Sequence, residues 1–173
     1  MAHVRRRVSA RTSGQRADFL WRYCASGKHV EEAVDALMAE VDTKTRRQLS
    51  VYKRAMVRSM FRKRIEKAVA GGLEPEEECK PIRVDPEVYE IRWSDVRIPV
   101  HGLADGLLRD HTCHYRLYYG EPKAAEYFLG LHAHEKAVDG LTADEISQAQ
   151  DAQIDRAIAV YASRADWVPR ITG

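Results

Sequence analysis

The sequence predicts an α+β fold in which N-terminal helices pack on a small antiparallel β-sheet, with a C-terminal helix after it. Apolar residues recur at helical spacing in residues 29–70, and they alternate as in strands in residues 87–134. Thr142 and Glu145 then have the spacing of a capping box that opens a last helix. At 173 residues and 45% hydrophobic composition, the chain is long enough for one domain with a sizeable core.

Residues 1–28 are predicted to form a basic N-terminal extension, which leaves residues 29–173 for the α+β domain. The first 16 residues hold five arginines, among them Arg5, Arg6 and Arg7, and no acidic residue. So little apolar surface cannot offset the entropy of ordering, which favours a solvated arm. An arm that touches nucleic acid or an acidic partner is the alternative. Residues 17–27 predict a short helix closed by Gly27.

Two helices are predicted in residues 29–70. The first covers His29–Val41, and the second runs from Asp42 or Thr43 to Ala70, where the Gly71–Gly72 pair ends it. The buried stripe of the second helix is predicted to consist of Leu49, Tyr52, Met56, Met60 and Ile65.

The second predicted helix is strongly basic, although the net charge of the whole chain is only +2. Ten Lys or Arg residues and one acidic residue lie between Lys44 and Lys67. Four arginines at steps of seven, four and four are predicted to share one exposed face: Arg47, Arg54, Arg58 and Arg62. Such a face is either merely solvated or a contact surface for a polyanion such as nucleic acid.

Three strand patterns follow. In "EVYEIRW", residues 87–93, the residues Tyr89, Ile91 and Trp93 are predicted to point inward, with Glu90 and Arg92 outward. Residues 94–110 contain Pro99 and two glycines and indicate a loop or a long hairpin. "CHYRLYYG" and "AAEYFLGLHAH" form an antiparallel hairpin around Gly120-Glu121-Pro122.

Strand alternation predicts a polar sheet face. In the last strand Tyr127, Leu129, Leu131 and Ala133 are expected to point inward, and Phe128 and Gly130 outward. The outward residues whose side chains could take part in catalysis or in binding a phosphate are Arg92, His114, Arg116, Tyr118, His132 and His134. Histidines supply a base and an acid for cleavage of RNA through the ribose 2′-hydroxyl, and arginines stabilise charge on phosphorus. An ordinary exposed sheet face is the alternative interpretation.

A metal site competes with this interpretation, because His132 with His134 and His111 with Cys113 are alternating pairs. The pattern does not place both pairs on one face, so no metal and no cofactor are expected. Three widely spaced cysteines indicate reduced thiols rather than a disulfide framework. No apolar run reaches the length of a signal peptide core or of a membrane span, so a soluble, cytoplasmic protein without membrane contact is expected.

The order of these pieces resembles the HigB/RelE-type toxins of bacterial toxin–antitoxin modules, in particular their phage-derived HigB branch. That family combines a helical pair, an "LYELR" strand, a "YRVxYF" strand, an "LLHGFxKK" strand and a closing helix. The matching segments lie within residues 31–160 and are "DALMAEVDTKTRRQL", "VYEIRW", "HYRLYYG", "YFLGLHAHEKA" and "LTADEISQAQDAQIDRAI". The chain differs from the family in the insertion at about 94–110 and in having Lys136 as the single lysine after the histidines.

The resemblance implies a RelE-like fold and a ribosome-dependent endoribonuclease that cleaves messenger RNA without a metal and is silenced by a cognate antitoxin. It implies that Arg92, Arg116 and Lys136 bind phosphate and stabilise the transition state. It also implies that His132 or His134 is the general acid or base, with Tyr118 orienting. Arg47, Arg54, Arg58, Arg62 and His114 are the expected nucleic-acid contacts.

Two other interpretations stay open. One is a catalytically silent module of the same fold that binds nucleic acid or a protein, and the other is a structural or regulatory phage-type protein without a nucleic-acid role. The sequence leaves the oligomeric state open.

Overall fold

A computed structural model of the protein describes residues 8–82, 84–123 and 125–172. The chain is α+β, as predicted. Its elements are β1 (Asp18–Trp21), α1 (His29–Asp42), α2 (Val51–Val69), β2 (Cys79–Pro81), β3 (Val88–His101), β4 (Leu108–Gly120), β5 (Tyr127–Lys136), α3 (Ala143–Ala162) and α4 (Arg164–Thr172). The predicted extension's Arg5, Arg6 and Arg7 lie outside the described residues.

The strands form one five-stranded sheet in the order β1-β5-β4-β3-β2. The pairs β2–β3, β3–β4 and β4–β5 are antiparallel, whereas β1 lies parallel to β5. The short helix predicted for residues 17–27 is therefore wrong: β1 forms at its start, and turns and bends rather than a helix occupy the rest of this segment. Pairing with β5 buries Phe19 and Trp21 to 5% and 3% exposure, and this gain outweighs local helical preference.

The segment before β1 also packs on the folded body. The Ser9 hydroxyl lies 2.7 Å from the Tyr119 hydroxyl. The Arg11 guanidinium lies 3.3 Å from the Glu121 carboxylate and is 4% exposed. From Ser9 onward the chain is thus part of the domain, not the solvated basic arm predicted for residues 1–16.

α1 agrees with its prediction, but α2 begins at Val51 rather than at residue 42 or 43. Ser50 caps it by accepting a hydrogen bond from the Lys53 amide. Gly71 ends it with φ of +74°, which a residue without Cβ adopts at little cost, and this end was predicted correctly.

The buried stripe of α2 agrees with the prediction at Ile65, and Leu49 and Met60 pack against the core, but it differs at Tyr52 and Met56. Tyr52 and Met56 are 75% and 41% exposed, whereas the buried residues are Val57, Phe61, Ile65 and Ala68. Phe61 contacts the rings of Trp93 and Tyr115 at 5.4 and 5.1 Å between centroids. Contact with these sheet aromatics selects the helix face that is buried.

Residues 94–110 form most of a long antiparallel hairpin made of β3 and β4, one of the two forms predicted. Pairing continues from Val88 opposite Gly120 to His101 opposite Leu108. The register shifts between Trp93 and Val96, so Ser94 and Asp95 form a bulge opposite His114.

β5 contains a second bulge that the alternation did not predict. Tyr118 pairs with His132 but Tyr119 pairs with Gly130, which leaves Leu131 as the extra residue. A shift of one residue exchanges the two faces of a strand. Consequently Leu129 and Leu131 lie in a different hydrophobic core from Ala133. Phe128, which was predicted to point outward, lies in the same core as Ala133.

Each face of the sheet carries a hydrophobic core. α1 and α2 cover the face of Ile91, Leu117 and Tyr119. On the opposite face, Ala157 and Tyr161 of α3 and Trp167 of α4 pack on sheet residues that include Val88, Tyr118, Leu129 and Leu131. α4 had not been predicted, and together with α3 it covers part of the sheet face that carries the candidate site.

Candidate functional site

The candidate site consists of three cross-strand rows on one face of β3, β4 and β5. Paired residues of antiparallel strands point to the same side of the sheet. The rows are Glu90–Tyr118–His132, Arg92–Arg116–His134 and His114–Lys136. The structure therefore brings together all six predicted catalytic residues, together with His114.

Glu90 lies between the two arginines and was not predicted as a site residue. Its carboxylate oxygens are 3.4 Å from Arg92 Nε and 3.5 Å from Arg116 Nε. Glu90 is 5% exposed and Arg116 is 3% exposed. Burial raises the pKa of Glu90 and lowers the pKa of Arg116. The outward position of Glu90 in "VYEIRW" was the available signal for its place beside the arginines.

The two guanidinium groups are oriented mainly by backbone oxygens. Arg116 donates to the Tyr115 carbonyl at 2.8 Å, and Arg92 donates to the Glu76 carbonyl at 2.8 Å. Within the described part of the chain, Nε of both arginines and one oxygen of Glu90 form no hydrogen bond. Charge attraction rather than aligned hydrogen bonding therefore joins Glu90 to the arginines.

Tyr118, His132 and His134 stack beside this cluster. The ring centroids of Tyr118 and His134 are 5.5 Å apart, and those of His132 and His134 are 5.7 Å apart. Burial lowers the pKa of His134 to about 4, and burial also lowers the pKa of His132. His132 Nε2 lies 2.6 Å from the Gln153 side-chain oxygen of α3. Both imidazoles are consequently neutral at pH 7, and α3 covers this end of the face.

The other end of the face is more open. His114, Lys136 and Arg92 are partly exposed. Partial burial and the charges of Arg116 and Lys136 lower the pKa of His114. Partial burial and the charge of Arg116 also lower the pKa of Lys136. An anion that approached here would meet several cations whose mutual repulsion it relieves.

Three of the four arginines predicted to share an exposed basic face, Arg54, Arg58 and Arg62, lie at steps of four on α2, with side chains that are 48%, 34% and 39% exposed. Arg54 pairs with Asp42 at 2.6 Å, Arg58 with Asp35 at 2.5 Å, and Arg62 with Glu31 at 2.6 Å. These acidic residues all belong to α1, so the close packing of α1 on α2 supplies the charges that the sequence of α2 lacks.

Arg47 is not part of α2. It lies before the helix, 2.6 Å from the Glu135 carboxylate, and its side chain is 7% exposed. It also donates to the Val41 carbonyl and to the Tyr115 hydroxyl. The prediction that Arg47 is on the exposed basic face is therefore wrong, because the late start of α2 places it against the sheet.

The alternative metal pairs are also separated, because Cys113 belongs to the core on the face covered by α1 and α2, whereas His132 and His134 lie on the opposite face. His111 Nε2 lies 2.6 Å from Asp139, and burial raises the pKa of the Cys113 thiol to about 11. Among residues 8–82, 84–123 and 125–172, no group of three or more His, Cys, Asp or Glu side chains is arranged to hold a metal ion.

No helix in the described segments has the length and apolar character needed to cross a bilayer. Comparisons of this chain with protein-family models, with curated proteins and with solved structures find no match.

Proposed function

We propose that the chain is a RelE/HigB-like toxin that cleaves messenger RNA, in the context of the ribosome, through the ribose 2′-hydroxyl. One observation carries the proposal: Arg92, Arg116 and Lys136 share a sheet face with three histidines on adjacent strands. The fold is proposed to be RelE-like, because a helical pair, antiparallel strands and closing helices follow in the order that the resemblance implies.

The residue types suit this reaction without further groups. Attack of the 2′-oxygen places negative charge on the phosphoryl oxygens, which guanidinium and ammonium groups stabilise. A neutral imidazole takes the proton of the attacking hydroxyl near neutral pH. Such a toxin acts in the cytoplasm, and a cognate antitoxin is its proposed partner.

A silent binding module of the same fold is the second candidate, and the burial of the site favours it. Arg116 and His134 are 3% and 6% exposed, and His132 is hydrogen-bonded to α3. A substrate phosphate that is to reach Arg116 needs α3 or the neighbouring side chains to move. The two candidate functions therefore differ in whether the row Arg92–Arg116–His134 takes part in RNA cleavage or only stabilises the sheet.

Induced expression in bacteria, combined with cleavage of messenger RNA on purified ribosomes, distinguishes them. The wild-type chain should arrest growth and cut ribosome-bound RNA. Arg92→Ala and Arg116→Lys should relieve both effects. Arg97→Ala is the matched control, because Arg97 is an exposed arginine of β3 that lies beyond the site.

Circular dichroism and thermal unfolding establish that each variant is folded. A folded wild-type protein that binds RNA but neither arrests growth nor cleaves it would contradict the proposed activity and support the silent module.

A further inference from the structure

His114 differs from the other histidines of the described chain in its hydrogen bonding. Six histidines are described, and five of them have a ring nitrogen in a hydrogen bond: His29, His101, His111, His132 and His134. Within residues 8–82, 84–123 and 125–172, no hydrogen bond to a ring nitrogen of His114 is formed. Because His114 is also partly exposed, a ligand can reach its ring.

Charged groups on β3, β4 and β5 and in the segment after β5 act electrostatically on this ring. Arg116 follows two residues later on β4, Lys136 is the cross-strand partner on β5, and Arg92 lies on β3. Asp139, in the segment after β5, is the acidic group that acts on His114. The bulge residues Ser94 and Asp95 lie opposite it on β3. His114 is thus next to three cations at the open end of the face.

We infer that His114 is the general base of the proposed RNA cleavage, and that His132 and His134 are not. The inference rests on the proposed function and names a group that the family resemblance did not assign to catalysis. His132 Nε2 is engaged by Gln153, both ring nitrogens of His134 are engaged by the Glu135 carbonyl and the Tyr118 hydroxyl, and His134 is 6% exposed.

The proposed cleavage needs only His114, the RNA and water for its proton transfers. A neutral His114 nitrogen takes the proton of the 2′-hydroxyl, and the 2′-oxygen forms a bond to phosphorus. The bond from phosphorus to the 5′-oxygen breaks, and this oxygen takes a proton from water. The hydroxide that remains accepts the proton from His114, so the products are a 2′,3′-cyclic phosphate and a 5′-hydroxyl. Lys136 and Arg92 stabilise the charge on the phosphoryl oxygens.

Electrostatics supports this role. Partial burial and then the neighbouring cations lower the pKa of His114 from its ordinary value, which favours the basic form of the ring at pH 7. Activity controlled by this group is lost as the pH falls below that lowered pKa.

The test measures kcat, KM and the pH profile of RNA cleavage by the full chain on ribosomes. His114→Gln should lower kcat about 10²–10⁴-fold at pH 7, with little change in KM, and should abolish the acid limb of the profile. His101→Gln is the matched control, because His101 lies at the far end of the β3–β4 hairpin. A 2′-deoxy substitution at the cleavage site gives a substrate that binds without being cut, and the His114→Gln protein should bind it normally.

His114→Ala gives an independent readout, because free imidazole in the buffer should restore part of its activity. Active wild-type protein with an equally active, folded His114→Gln variant would overturn the assignment and leave the proposed function standing. Reduced activity that keeps the acid limb and is not restored by imidazole would show a merely structural role. Wild-type protein that does not cleave RNA would overturn the proposed function and the assignment together.

Discussion

Replacement of Arg47 by alanine should lower the free energy of unfolding by about 3 kcal/mol, because it leaves Glu135 as a buried carboxylate without its cation. The two side chains are 2.6 Å apart and are 7% and 12% exposed. Breaking such a pair costs roughly 3–5 kcal/mol. The lower end applies here, since the Tyr115 hydroxyl still donates to Glu135 at 3.1 Å.

The corresponding change in melting temperature follows from the size of the chain. For 173 residues the entropy of unfolding is about 0.36 kcal/mol/K, so the loss corresponds to roughly 8 °C. Arg54→Ala is the control, because Arg54 was predicted to lie on the same basic face of the second helix as Arg47. Its pair with Asp42 is 48% and 47% exposed, and such exposed pairs contribute about 0.2–1 kcal/mol.

Differential scanning calorimetry and urea unfolding measure both variants. If Arg47→Ala destabilises the protein no more than Arg54→Ala does, the burial argument is refuted. If Arg47→Ala instead leaves stability unchanged and weakens RNA binding, Arg47 has the nucleic-acid role that the sequence pattern predicted.

Three further predictions concern packing, thiols and pH. Gly130→Ala should lower the free energy of unfolding in urea by roughly 1–3 kcal/mol, because a Cβ at this position would lie 2.6 Å from the Phe19 ring. Gly72→Ala should lower it less, because the atom nearest to a Cβ there is 3.5 Å away. Equal losses in the two variants would contradict this prediction. At pH 8 a thiol reagent should modify Cys24 first and should modify Cys79 and Cys113 only after unfolding. Both of these cysteines are buried, and the pKa of each is raised to about 11. Fast modification of all three cysteines in the folded protein would disprove this prediction. Burial raises the pKa of Glu90 in the folded state. The wild type should therefore lose stability relative to Glu90→Gln as the pH rises from about 4.5 through that raised pKa. A difference in stability that does not change with pH would refute the raised pKa of Glu90.

Elements that depend on local pattern were predicted well from the sequence. α1, the end of α2 at Gly71 and the Thr142–Glu145 capping box are determined by residues within a few positions of each other. The antiparallel hairpin of β4 and β5 also follows from local alternation around one turn. β1 could not be predicted in this way, because its four residues become a strand only by pairing with β5, more than 100 residues away.

The same distinction explains what was predicted of the site. The bulge at Leu131 separates Leu129 from His132, so it changes the faces of Tyr127–Gly130 relative to β4 but leaves His132, His134 and Lys136 in the predicted parity. The grouping of the polar residues therefore follows from alternation alone. Their exposure does not, since α3 packs on β5 through a contact between segments that no local pattern links. Because alternation treats His114, His132 and His134 as equivalent, the covering by α3 is the observation that separates them. It closes the histidine end of the face at Gln153 and leaves the ring of His114 open among the cations.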